Sequence, residues 1–239
     1  MAKIWIIGAS TGIGAALARA YAAEGADLVL SARNVAALNA LAQECGGAQV
    51  LPLDLAMPGD IARVVREGAP AGLDAVICTA ALYDPGRVAE IDLVAVEKLI
   101  RVNLTACFAL AQAAPQVLRT GGQLVLFGSV AGYMGLPRGQ AYSATKAAII
   151  NLAESLRIEM APAVDVRLVC PGFVRSRLTE KNDFNMPAII SAEEAAQNVI
   201  KGLRGNAFEI HFPKRFTLAM KLLRAMPYRL SLRLTRRIG

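Results

Sequence analysis

Seven short apolar runs recur along the chain, at residues 3–7, 26–31, 49–53, 73–78, 123–127, 164–170 and 207–212. Between them lie longer stretches, 15–24, 35–44, 58–67, 92–119, 140–160 and 191–203, in which apolar positions return every three or four residues. The short runs read as strands buried on both faces, and the longer stretches as helices. Strands alternating with helices predict an α/β fold, a doubly wound parallel sheet of about seven strands. Pro58 is expected to open one helix, and Ser191 with Glu194 three residues on is a capping-box start for another. The rhythm lapses from Pro171 to Pro187, which predicts a mobile loop over the open edge of a site. Ligands of such sheets bind beyond the carboxyl ends of the strands, where Gly8, Arg33, Asp54, Ala80, Ser129 and Pro171 all fall.

Composition supports this picture. Hydrophobic residues make up 55% of the 239 positions and aromatics only 5%, so Ala, Leu, Val and Ile must fill the core. No apolar run approaches the ~20 residues needed to cross a bilayer. The chain enters its first strand at Lys3, so no secretory signal is expected and a cytoplasmic location is. Cys45, Cys78, Cys107 and Cys170 stand singly, without metal-ligand spacing, and read as reduced packing residues; no metal site is expected. The lone histidine, His211, has no nucleophile near it in sequence and reads as structural.

The net charge of +7 is unevenly placed. Lys214, Arg215, Lys221, Arg224, Arg229, Arg233, Arg236 and Arg237 have no acidic neighbour from 214 onward, which leaves the rest of the chain at −1. Nucleic acid is therefore not an expected partner. The chain divides into a domain at 1–212 and a basic extension at 213–239, which Pro227 splits into two helices. In the second, Arg229, Arg233, Arg236 and Arg237 form one basic face opposite Tyr228, Leu230, Leu232, Leu234 and Ile238; the first offers Phe216, Met220, Leu223 and Met226. Such helices suit an anionic membrane interface, such as the inner face of a membrane, or docking onto their own domain or a partner subunit.

Three motifs carry candidate chemistry. Gly8, Gly12 and Gly14 lie between a strand and a helix, where glycines let a dinucleotide pyrophosphate approach the helix N-terminus. Arg33 follows the second strand, where an acidic residue would grip the ribose diol of NAD and an arginine pairs with the 2′-phosphate of NADP. Tyr142 and Lys146 share one helix face at i, i+4, and an ammonium beside a phenol favours the phenolate. Tyr142 is thus a candidate proton donor to a carbonyl, and Ser129 is placed to hold the same oxygen. Taken alone, the Tyr–Lys pair is a weak signal and suits better a helix with a solvated lysine and a half-buried tyrosine.

Together, Gly8-xxx-Gly12-Ile13-Gly14, Asp54-Leu55, Asn103, Ser129, Tyr142-xxx-Lys146 and Pro171-Gly172 resemble the short-chain dehydrogenase/reductase family over residues 1 to about 212. The resemblance implies a Rossmann-like fold and hydride transfer between a nicotinamide cofactor, NADPH in preference to NADH, and a carbonyl or alcohol. It implies that Tyr142 is the acid/base, that Lys146 supports it and binds the nicotinamide ribose, that Ser129 orients the substrate, and that Asn103 holds a relay water. Gly8, Ser10, Thr11, Gly12, Ile13, Gly14, Arg33, Asp54, Leu55, Ala80, Tyr142 and Lys146 would line the cofactor, with Pro171, Gly172, Val174 and Ser176 near the nicotinamide. Ile7 replaces a usual threonine, and Thr79-Ala80-Ala81 a usual Asn-Ala-Gly. Tyr83, Met134, Leu136, Phe173, Phe184 and Met186, with Leu82 and Ile190, would border an apolar, lipid- or steroid-like substrate. The two long helices at 92–119 and 140–160 would pair in a homodimer or homotetramer. A non-catalytic NADP-binding regulatory protein of the same fold is the alternative.

Overall fold

The structure, a computed structural model, describes residues 1–235. Seven parallel strands form one sheet: β1 (Lys3–Ile7), β2 (Asp27–Ser31), β3 (Gln49–Val50), β4 (Leu73–Cys78), β5 (Leu118–Phe127), β6 (Val164–Pro171) and β7 (Glu209–Phe212). Their order is β3-β2-β1-β4-β5-β6-β7, so the winding reverses between β1 and β4. Alternate residues of one strand serve opposite layers. Ile4 and Ile6 of β1 join the core under α1 (Gly12–Ala23), α2 (Val35–Glu44) and α7 (Ala192–Leu203). Trp5 and Ile7 join the core under α3 (Asp60–Glu67), α5 (Ala106–Val117) and α6 (Gln140–Glu159). Cys78, Cys107 and Cys170 are free thiols buried in the second of these cores.

Several boundaries differ from the sequence pattern, each for a local reason. The expected helix at 92–119 is α4 (Leu93–Ile100), a π turn at Arg101–Thr105 and then α5; it ends at Val117 because Leu118 already pairs with Leu73 of β4. The third strand keeps two paired residues, since Pro52 has no N–H, although Leu51 and Leu53 still donate to Leu30 and Ala32. Pro58 does not open α3; Gly59, at φ +79°, precedes it. Ser191 caps α7 as expected, accepting from the Glu194 N–H at 3.0 Å.

The extension forms α8 (Lys214–Ala225) and α9 (Tyr228–Thr235), broken at Pro227. Helix α8 docks on the domain through buried Thr217 and Met220. His211 Nδ1 lies 2.6 Å from Thr217 Oγ1, and burial with nearby Lys221 and Lys214 keeps its ring below the usual pKa range. Lys221 and Tyr133 both hydrogen-bond the Glu209 carboxylate. Burial opposes that charge, but the two donors hold the Glu209 carboxyl below its ordinary range. Helix α9 docks through Ser231 and Thr235, which are buried, and leaves Tyr228, Leu230, Leu232 and Leu234 exposed, so of the two expectations for this helix, docking of its apolar face on its own domain is not what is seen. Arg236, Arg237 and Ile238 lie outside the described residues.

Candidate active site

At the β1–α1 turn the chain is packed to backbone contact. A Cβ on Gly8, which has φ +90°, would sit 2.6 Å from the Ala80 nitrogen, and one on Gly14 would sit 2.3 Å from the Gly8 carbonyl. Thr79 fills the space beside both glycines. Its Oγ1 donates toward the Ile7 and Gly8 carbonyls at 3.1 and 3.3 Å, tying the end of β4 to the end of β1. A cleft of about 660 Å³ opens over this turn, lined by Gly8, Ser10, Thr11, Gly12, Ile13, Gly14, Arg33, Asp54, Leu55, Ala80 and Ser176 of the expected set. Leu82, Arg177, Leu178 and Lys181 join them. The Asp54 carboxylate accepts from the Ala56 N–H at 3.0 Å. Arg33 is exposed at the tip of β2 and makes no ion pair among the described residues.

A smaller chamber of about 110 Å³ adjoins this cleft, and Tyr83 and Leu178 line both. Ser129, Tyr142, Tyr83, Leu136, Gly172, Phe173 and Phe184 line the chamber. Ser129 leaves β5 and caps the turn Val130–Gly132, its Oγ accepting from Ala131 at 3.1 Å. Tyr142 lies in the first turn of α6, edge-on to Tyr83 with ring centroids 5.0 Å apart. Burial, and Tyr142 beside it, push the Tyr83 hydroxyl above its usual pKa. Lys146 is 3% exposed; its Nζ donates to the Phe127 carbonyl at 2.7 Å and lies 5.5 Å from the Tyr142 ring centroid. This lysine is therefore buried and anchored to the end of β5, not a solvated side chain.

Asn103 sits in the π turn, buried, and holds the strand-4 loop from both sides. Its Oδ1 accepts from the Leu82 N–H at 2.7 Å, and its Nδ2 donates to the Leu82 carbonyl at 2.9 Å and to Thr145 Oγ1 at 3.3 Å. Val174 is buried and bridged to Ile190, and Pro171 pairs with Phe212, so neither lines the chamber or the cleft. Met186 lies outside the chamber, where its sulfur accepts from Asn182 Nδ2, and Met134 lines a different cavity.

Side chains of the segment expected to be a mobile loop meet the loop after β4 and the stretch before α6. Lys181 donates to the Tyr83 carbonyl at 2.7 Å, the Tyr83 hydroxyl donates to Asn182 at 2.8 Å, and Arg138 pairs with both oxygens of Asp183 at 2.8 and 2.9 Å. Sequence reading missed Leu178, Thr179 and Asn182 as chamber residues, because aperiodic segments carry no pattern that reports which side chains turn inward, and it missed Ser143, a polar residue of α6 that no motif marks. It also missed Phe216. The tail sends this ring against Phe173, centroids 5.6 Å apart, and a Cβ on Gly172 would meet it at 2.9 Å.

A family model described as short chain dehydrogenase matches residues 2–186. The chain belongs to the short-chain dehydrogenase family. It is an NAD(P)-dependent oxidoreductase by class. An uncharacterized oxidoreductase of Myxococcus xanthus is 33% identical over 233 residues, covering 93% of this chain and 91% of its own length. The 11-beta-hydroxysteroid dehydrogenase-like 4A of Arabidopsis thaliana is 34% identical, covering 85% and 74%. The short-chain dehydrogenase from Sphingobium yanoikuyae, solved in complex with NADPH, superimposes with a TM-score of 0.78 at 28% identity, covering 95% of this chain and 97% of that one. The seven-stranded Rossmann-like architecture of this family is the one seen here.

Proposed function

We propose that this short-chain dehydrogenase uses NADP(H) to interconvert a carbonyl and an alcohol on an apolar, lipid- or steroid-like substrate. The observation that carries the reading is the junction of the glycine-turn cleft with an apolar chamber that presents Tyr142 and Ser129. The NADPH in the Sphingobium structure and the hydroxysteroid description of the Arabidopsis relative point the same way.

The cleft suits a dinucleotide by its donors. The N-terminus of α1, the Ser10 and Thr11 hydroxyls and the Arg33 guanidinium are the groups that bind phosphates, and the crowding at Gly8 and Gly14 keeps the helix end close. Arg33 would favour the extra phosphate of NADPH. When bound, the reduced nicotinamide supplies the hydride for the carbonyl carbon. Tyr142 gives its hydroxyl proton to the carbonyl oxygen as that carbon is reduced, so one hydride and one proton make the alcohol. The Lys146 ammonium, held in a buried position, stabilises the phenolate left behind. Ser129 donates to the same substrate oxygen, and Asn103 fixes the Leu82 backbone beside the chamber. Phe173 and Phe184 give the chamber apolar walls suited to an apolar substrate.

Two surface features extend the reading. Leu93 and Val94 of α4 and Phe108 of α5 are exposed, which favours a homo-oligomer. In the tail, Leu218, Leu222, Tyr228, Leu230, Leu232 and Leu234 are 43% to 68% exposed among basic residues only, which favours peripheral contact with an anionic membrane. No described helix is long and apolar enough to cross one.

The test is NADPH oxidation across a panel of apolar ketones, with Tyr142→Phe abolishing turnover while NADPH still binds. Turnover unchanged in that variant refutes the assignment.

A further inference from the structure

A second and larger cavity lies behind the Tyr142 chamber, about 670 Å³ against about 110 Å³. Segment 131–137 forms its floor. The exposed Ala144 and Ala147 of α6 form one wall, and Arg224, Leu232 and Thr235 of the tail form the other. Chamber and cavity share Ala131, Leu136, Pro137 and Ser143, so the two compartments adjoin along these residues.

Two independent observations favour a ligand in this space. Small-molecule sites ordinarily enclose ~300–1,000 Å³. The chamber alone falls well short of that range, and the cavity lies within it. In addition, Ser143 is 4% exposed and its Oγ is a buried side-chain polar atom with no hydrogen-bond partner among the described residues. Buried polar atoms are normally paired, and this one sits at the boundary of the two compartments.

We propose that the tail-walled cavity is the distal half of the substrate site. It holds the apolar body of an elongated carbonyl or alcohol whose reacting carbon lies at Tyr142, and Ser143 hydrogen-bonds a second oxygen of that substrate where the compartments meet. The proposal rests on the oxidoreductase reading. It makes α9 a wall of the site, which accounts for the side of Leu232 that faces inward although most of the residue is exposed.

The experiment measures binding separately from turnover. Full-length protein with NADPH, which cannot react with an alcohol, is titrated calorimetrically with 2-alkanols from four to ten carbons. Affinity is expected to rise about fourfold per methylene beyond the first few carbons, the factor equivalent to ~0.8 kcal/mol for a buried methylene. Ala147→Trp and Leu232→Asp, one on each wall, are each expected to cut the ratio of ten-carbon to four-carbon affinity at least tenfold without changing the melting temperature by more than a few degrees. Flat affinity with length overturns the proposal, as does a rise that neither variant affects; a second copy of the chain covering the cavity would give the flat result. Ser143→Ala is expected to abolish the preference, in kcat/KM, for a 3-oxo methyl ester over the 2-alkanone of equal length, and an unchanged preference removes Ser143 from the assignment. If no carbonyl is turned over but affinity still rises with length and falls in both variants, the carbonyl–alcohol reading of the substrate fails while the cavity remains the place where the apolar ligand binds.

Discussion

Replacing Gly14 with alanine tests whether the β1–α1 turn holds the cofactor through backbone contact. Gly14 lies inside α1, in a backbone conformation any residue adopts, so the substitution acts only through the added methyl. That methyl would fall 2.3 Å from the Gly8 carbonyl and 2.7 Å from Thr79 Oγ1, whereas ordinary contact begins at 3.4 Å. The threonine can rotate away, but the carbonyl belongs to the turn itself. Helix α1 must therefore retreat by about 1 Å, withdrawing the N–H groups that face the cleft. Overpacking of this kind costs ~1–3 kcal/mol in stability, and loss of a hydrogen bond to a charged phosphate costs ~1.5–3 kcal/mol in binding, on the order of 10- to 10²-fold. NADPH affinity measured by fluorescence titration should fall by about that factor, while the urea midpoint moves modestly. Gly25→Ala is the control: its φ of +77° carries a left-handed penalty of about 1–2 kcal/mol, but nothing lies within 4 Å of the added methyl. It should lower stability and leave affinity alone. Native NADPH affinity in Gly14→Ala, or equal losses in both variants, would refute the argument.

Arg33→Ala should reduce the preference for NADPH over NADH by roughly tenfold or more, read as a ratio of dissociation constants; equal affinity for the two cofactors in the unmodified protein contradicts the role given to Arg33. Asn103→Ala leaves both polar groups of the Leu82 backbone without partners and should lower the unfolding free energy by ~1–3 kcal/mol, measured in urea. Glu209 ties β7 to α8 and its carboxyl titrates below the usual range, so its contribution is fully present above about pH 4.3, its unfolded value, and is lost as pH falls through the folded one. Glu209→Gln should accordingly be less stable than the unmodified protein at pH 7 and match it progressively on acidification; a stability difference independent of pH would show that the Lys221 and Tyr133 contacts do not depend on the charge.

The sequence by itself determined the layered architecture and its binding edge. Strands buried on both faces must be almost wholly apolar, so β1 and β4 are legible to the residue, and the glycine turn, Arg33, Ser129 and Tyr142 could be set at strand or helix ends before any contact was known. Residues joined by chain geometry, such as Tyr142 and Lys146 at i, i+4, were equally legible. The tertiary structure alone decided what depends on partners distant in sequence. Whether Lys146 is solvated depends on the Phe127 carbonyl, 19 residues away. Only packing shows that Asn103 clasps Leu82 and that the aperiodic segment around Asn182 is fastened to Tyr83. The tail is the clearest case. Its amphipathic pattern left open whether the leucines dock on the domain or stay outside it, and packing decides: α9 buries Ser231 and Thr235, while α8 is held by Phe216, Thr217 and Met220. A helix pattern records which side chains share a face, but which face docks is set by the surface it meets, and here that surface is built from β7, the 131–137 segment and α6.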